Sequence, residues 1–268
     1  MDFTRNQPQT TIADMVIALL AREPADLWSA LSDAGVFTML LPETVGGDGL
    51  GMAEGATVLT ELARRAAVGP ALATIGYGLV PLARFASHDI VDAAAVPGGI
   101  LTGAISEPGI AFPARPSTTT VSNGDRLRIT GTKIAVPYAE QAHRMLVATS
   151  SGIVLVDPGG DGVRMAATPS STGDPEYVVE FDSAPGLLVT EDIASYYRLV
   201  VAAIGAVADG LAAGAAELTA KYLASRHQFG KPLATFQAVA GEIADVYVTA
   251  RTVHVAAVAC VWQADRDR

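Results

Sequence analysis

The chain has 268 residues, half of them hydrophobic and 17% charged, which suits a globular protein with an ample core rather than a disordered one. Its formal charge of −10, from 28 acidic against 18 basic residues, argues against nucleic acid and anionic membrane surfaces as partners. A single cysteine, Cys260, excludes an internal disulfide, and the polar start Met-Asp-Phe-Thr-Arg-Asn-Gln shows no secretory signal, so a cytoplasmic protein is expected.

Taken in chain order, Thr11 to about Ala95 reads as helical. Ile12, Met15, Val16, Leu19 and Leu20 recur at three- and four-residue spacing, as do Val58, Leu59 and Leu62. The stretch Leu41-Pro-Glu-Thr-Val-Gly-Gly-Asp-Gly-Leu-Gly51 interrupts this pattern as a loop, and its glycines make a poor nucleotide fingerprint because no βαβ unit follows. From about Gly98 to Leu188 short β-branched runs predict strands at Leu101–Ser106, Leu127–Thr130, Lys133–Tyr138, Met145–Thr149, Ile153–Asp157 and Tyr177–Asp182, with a tight hairpin turn at Asn123-Gly124. No helical run separates these strands, which predicts an antiparallel barrel or sandwich.

Two long helices follow, one from about Ile193 to Ala224 and one from about Thr235 to Ala264. Leu199–Ala216 is apolar enough to suggest a membrane span, but Asp209 near its middle would cost roughly 2.5–3.5 kcal/mol there. Its Gly210 and Gly214 suit a helix buried in a bundle instead. Two such helices cannot cover each other, so the bundle is expected to be incomplete within this chain. The expected class is therefore α+β and multidomain: a helical unit over 1–97, a β unit over 98–190 and a helical bundle over 191–268.

Between the two long helices, Arg226-His-Gln-Phe-Gly-Lys231-Pro gathers cationic side chains in an acidic chain; a bound phosphate or pyrophosphate is one natural reason for them, and an ordinary interhelical turn with Arg226 solvated is the other. The four histidines share no metal-ligand spacing, so no metal site is expected. Glu242 and Asp245, three apart, read as a solvated helix face.

The helix–β–helix order resembles the acyl-CoA dehydrogenase family of flavoproteins. The likeness is carried by Leu41-Pro42-Glu43 through Gly46-Gly47-Asp48-Gly49-Leu50 with Glu61-Leu-Ala-Arg64, by Ser106-Glu107-Pro108-Gly109, by Ile129-Thr-Gly131-Thr-Lys133, and by Arg226-x-x-Phe229-Gly230 with Gln237. It implies FAD as cofactor, with a carboxylate base taking the substrate's α-proton while the β-hydride goes to the flavin. It also implies that Arg226, Gln228, Phe229 and Gln237 reach across an interface to the pyrophosphate and adenosine of a neighbouring subunit's FAD. Ser106 keeps the hydroxyl of the family's flavin-binding turn.

Two parts of the family pattern are missing. Where some members place the base, this chain has Val200, and Tyr196 to Ile204 contains no carboxylate. Where the family has a Trp-Ile-Thr run against the isoalloxazine, this chain has Ala135-Val136-Pro137, and a family serine is matched by Phe112. The resemblance is greatest to the base-lacking subunit of bacterial heterotetrameric (α2β2) dehydrogenases of steroid side-chain acyl-CoA. It implies a non-catalytic subunit, without catalytic residues of its own, that shares FAD with a catalytic acyl-CoA dehydrogenase partner, the acyl-CoA being bound mainly by that partner. A flavin-free scaffold of the same fold, and a homomeric dehydrogenase with an unrecognised base, stay open as alternatives.

Overall fold

In the computed structural model, residues 4–96, 98–123 and 126–266 are described. The first helices, α1 (Gln7–Ala21) and α2 (Leu27–Asp33), begin at side-chain caps. Asn6 and Gln9 form a reciprocal capping box, and Asp26 accepts from the Ser29 N–H. The helix α3 (Met52–Arg64) is different. Its cap residue is Gly51, which has no side chain to offer, and the carboxylate of Asp265 reaches it from the far end of the chain. The Met52 and Ala53 N–H groups donate to its two oxygens at 3.1 and 3.0 Å. Asp265→Ala is expected to cost about 1–2 kcal/mol, the usual worth of a helix cap with its favourable dipole, and thermal unfolding of the purified protein checks it.

After α3 comes a π-helical stretch, Leu72–Leu79, continuing into α4 (Val80–Phe85) and then α5 (His88–Ala94). The middle of the chain supplies β1 (Leu101–Ala104), β2 (Thr119–Asn123), β3 (Arg126–Pro137), β4 (Arg144–Thr149), β5 (Gly152–Val156), β6 (Val163–Thr168) and β7 (Glu176–Thr190). They form one sheet in the order β1-β4-β5-β7-β3-β2, with β6 pairing β7 off that path. The helix–sheet–helix order stands as the sequence implies. The sheet itself is mixed, because β1 runs parallel to β4, and its path does not close into a barrel. A parallel pair needs a long crossover, and the segment between β1 and β4, which includes β2 and β3, provides one.

Strand β3 joins what the sequence divides in two. Its alternation is interrupted by register shifts between Ile129 and Gly131 and between Lys133 and Val136, where Ala135 takes a left-handed φ of 50°. Strands β2 and β6, absent from the sequence reading, are short and largely exposed. The proposed turn residue Gly124 lies outside the described residues.

Two long helices complete the fold, α6 (Ile193–Ser225) and α7 (Gln237–Arg266), close to the expected bounds. Both are long and apolar enough by length and composition to cross a membrane. In the fold, however, α6 is a core element. A Cβ at Gly210 would stand 2.2 Å from the Thr60 carbonyl oxygen, and one at Gly214 would stand 2.2 Å from that of Arg64, so only glycine permits this approach of α6 to α3. Asp209, one residue before Gly210, is buried and meets His254 of α7 with 2.9 Å between Oδ2 and Nδ1. The face of α7 is less covered: among its residues only Ala257 and Ala264 are buried, while Val246, Tyr247, Val248 and Val255 are exposed.

The main core runs from the N-terminal helices through one face of the sheet to α6. Leu146 and Ala148 of β4 join it, whereas Met145 and Val147, pointing the other way, belong to a second cluster with Ile129, Val136, Val179 and Phe181.

Candidate functional site

The cationic stretch after α6 is a small hairpin. His227–Gln228 pairs antiparallel with Lys231–Pro232, giving β8 and β9, and the two residues between them, Phe229 and Gly230, have φ of 51° and 78°. Positive φ at both central positions is the pattern of a type I′ turn, which matches the twist of a two-stranded ribbon. The Leu233 N–H donates to the Arg226 carbonyl at 2.8 Å and closes the base of the arm, and a 3₁₀ turn over Leu233–Thr235 leads into α7.

Glycine accepts such a backbone freely, but phenylalanine does so at a cost of about 1–3 kcal/mol. Phe229 is nevertheless 92% exposed, its ring edge-on to Phe236 at 6.2 Å, with the Lys231 ammonium 4.4 Å from the Phe236 ring centre. Arg226, Gln228 and Gln237, at the ends of the arm and the start of α7, are also exposed. The hairpin and the start of α7 thus present a guanidinium, two amides and a flat ring within one short segment, a donor set that fits a pyrophosphate and an aromatic base.

The turn after β1 is built around a buried ion pair. Glu107 accepts five hydrogen bonds: from the Ser117 N–H and hydroxyl at 2.8 Å each, from the Thr118 N–H and hydroxyl at 3.0 and 2.8 Å, and from the Lys133 ammonium at 2.8 Å. Lys133 is fully buried and donates also to the Ile105 carbonyl at 3.1 Å. Burial alone would raise the Glu107 carboxyl, but the donors from Lys133, Ser117 and Thr118 outweigh it and hold the group at about 2. Burial draws the Lys133 ammonium down, against the pull of Glu107. Two motifs adjacent only in space, the Glu-Pro-Gly turn and the Thr-Gly-Thr-Lys strand, are thereby locked together. Sequence reasoning gave neither residue this task; a lone lysine in a β-branched strand is the signal that could have shown it.

Around this pair the groups that an isoalloxazine would need are few. Ala135 sits exposed on the β3 bulge, Val136 is buried, and Pro137 brings no N–H, its carbonyl taking the Thr102 hydroxyl at 2.5 Å. The half-buried Ser106 hydroxyl donates to the Ala111 carbonyl at 3.1 Å. Phe112 lies edge-on against Tyr197 of α6 at 5.3 Å, and the Tyr197 hydroxyl donates to the Pro113 carbonyl at 3.1 Å. Burial, reinforced by the Glu107 charge, pushes that phenol up to about 12. An apolar cavity of about 650 Å³ opens here, lined by Phe112, Tyr197, Val201 and Cys260 among others. Val200, where a base would stand, is fully buried in the main core.

The two regions are far apart. Ser106 lies in the turn that meets the start of α6 through Phe112 and Tyr197, while the arm leaves α6 at its other end. About 40 Å of helix at 1.5 Å per residue separates Tyr197 from Arg226. One chain's arm and its own middle sheet therefore cannot hold the two ends of a single dinucleotide.

Family models agree with these observations. One for the acyl-CoA dehydrogenase N-terminal domain matches residues 2–93 and one for the C-terminal domain matches residues 186–268. Acyl-CoA dehydrogenase FadE28 of Mycobacterium tuberculosis is 45% identical over 277 residues, covering 100% of this chain and 79% of that protein. FadE27 of the same organism is 31% identical over 255 residues, covering 90% and 67%. Among solved structures, the ChsE4-ChsE5 complex from Mycobacterium tuberculosis superposes with a TM-score of 0.87 at 27% identity, covering 100% of this chain and 80% of that one. A variant of the Tcur3481-Tcur3483 steroid ACAD gives 0.79 at 31% identity, covering 96% and 74%. With its helix–sheet–helix order, its motifs and these likenesses together, the chain belongs to the acyl-CoA dehydrogenase family.

Proposed function

We propose that this chain is the non-catalytic subunit of a flavin-dependent acyl-CoA dehydrogenase, lending its hairpin to a FAD seated mainly in a catalytic partner subunit. The observation that carries this reading is the separation of the two regions: an exposed donor arm stands about 40 Å of helix away from a sheet whose own groups suit an isoalloxazine poorly. Bound FAD supplies the hydride acceptor for α,β-dehydrogenation. This chain's part is to hold the far end of the cofactor. The Arg226 guanidinium faces the pyrophosphate charge, the Gln228 and Gln237 amides offer hydrogen bonds, and Phe229 offers a stacking face. Ser106 is the one hydroxyl left in the chain's own flavin turn. The division into units at 1–97, 98–190 and 191–268 belongs to the same reading, as does a cytoplasmic α2β2 assembly.

The substrate class we assign is the CoA thioester of a steroid side chain. Its support is the 31% identity to a protein described as a steroid ACAD and the 27% identity to one solved as a complex of two differently named chains. Co-purification with the partner dehydrogenase and a flavin count by absorbance test the central claim. One FAD for each pair of unlike chains is expected. One FAD per chain in a homo-oligomer overturns the reading, and an assembly free of flavin replaces it with a scaffold role.

A further inference from the structure

Resting on that reading, we infer that Lys231 is a further cofactor-binding residue of the arm, its ammonium meeting the second charge of the FAD pyrophosphate beside the Arg226 guanidinium.

The ribbon puts three polar side chains on one side. Gln228 pairs directly with Lys231, and opposite residues of an antiparallel ladder share a face. Arg226 stands two residues before Gln228 in extended backbone, so it follows onto the same side. His227 and Pro232 take the other side, and the His227 Nδ1 is held by the Ser225 carbonyl oxygen at 3.0 Å.

A pyrophosphate diester carries two negative charges, and one guanidinium balances one of them. Between Glu217 and Glu242 the chain carries Lys221, Arg226 and Lys231 and no carboxylate. Among the described residues neither Arg226 nor Lys231 forms an ion pair. The Lys231 ammonium rests instead 4.4 Å from the ring centre of Phe236, the residue before Gln237. Such a contact is weak at an exposed site, so a phosphate within reach displaces it. Lys231 is exposed and its four-carbon stem is flexible, which lets the ammonium leave the ring without disturbing the ribbon. The two cations divide the work by shape. A planar fork grips one phosphate in two places, and a compact point charge follows the other. Lys221 lies within α6, outside the ribbon, and is the control.

The test follows FAD release from the assembled complex on dilution, by fluorescence, at a series of salt concentrations and without acyl-CoA. Lys231→Met is expected to hold FAD about tenfold less tightly, the worth of one charge-assisted contact. Its dependence on salt should be shallower than that of the wild type, because one ionic contact is gone. Lys231→Arg should keep both the affinity and the salt dependence, and Lys221→Met should match the wild type. Wild-type retention in Lys231→Met overturns the inference. So does an equal loss in Lys221→Met, which makes the effect one of overall charge. A loss in Lys231→Met with the salt dependence unchanged overturns it too, since a purely structural role weakens binding without removing an ionic contact. Should Lys231→Met fail to assemble, Lys231→Gln is judged by the same criteria. Arg226→Ala keeps the two readings apart. If it impairs retention while Lys231→Met does not, the lysine assignment alone fails; if neither does, the arm is not at the flavin.

Discussion

Replacing Arg226 with Ala in the assembled complex is expected to weaken flavin retention about 10- to 100-fold, with little change in the stability of the chain itself. The guanidinium is exposed and sits at the end of α6, so the fold does not depend on it. A hydrogen bond to a charged group is worth about 1.5–3 kcal/mol, and each 1.4 kcal/mol is a tenfold change in affinity. Lysine at this position should recover part of the loss, because it keeps the charge and loses the planar fork. The measurement is FAD released on dilution or dialysis, followed by fluorescence. Unchanged retention in Arg226→Ala would remove the arm from the flavin site.

The second large effect is expected at the buried pair. Lys133→Met leaves the Glu107 carboxylate buried with its cation gone and should cost about 3–5 kcal/mol. The pH dependence carries a definite sign. The Glu107 carboxyl is held at about 2 in the fold against an ordinary value of 4.5. Its contribution, roughly 3 kcal/mol, is therefore complete above about pH 4.5 and is lost as the pH falls toward 2. Glu107→Gln should unfold at lower temperature near neutrality and show a flatter loss of stability between pH 4.5 and 2. Thermal unfolding across that range, followed by circular dichroism, measures both effects. An acid limb of the same slope in both proteins would show that the pair contributes nothing there.

Much of the architecture is legible in the sequence. The helical periodicity of the first zone, most β-branched runs of the second and the two long helices of the third appear in the fold within a few residues of their expected bounds, because each pattern follows directly from which face is buried, whereas β7 runs on to Thr190, eight residues past the expected end at Asp182. Edge strands β2 and β6 escape because they are short and none of their described side chains is fully buried. The bulge at Ala135 breaks the period that would have joined β3 into one strand. The parallel pairing of β1 with β4 is a property of topology that no local window contains.

The site divides along the same line. Arg226, Gln228, Phe229 and Gln237 stand in one short segment, so their nearness is written in the chain, although the I′ hairpin that orients them is not an obvious reading of Phe-Gly. Glu107 and Lys133 lie 26 positions apart, and Asp265 and Met52 lie 213 apart. Side chains meet at such separations only through the completed fold.

That last distance bears on how the protein is made. As the polypeptide leaves the ribosome, α3 emerges early with two bare N–H groups at its head, and the carboxylate that satisfies them is synthesised more than two hundred residues later. Until then the helix must fray, borrow water or wait on a chaperone. The head of α3 therefore gains this cap only once the end of α7 is in place.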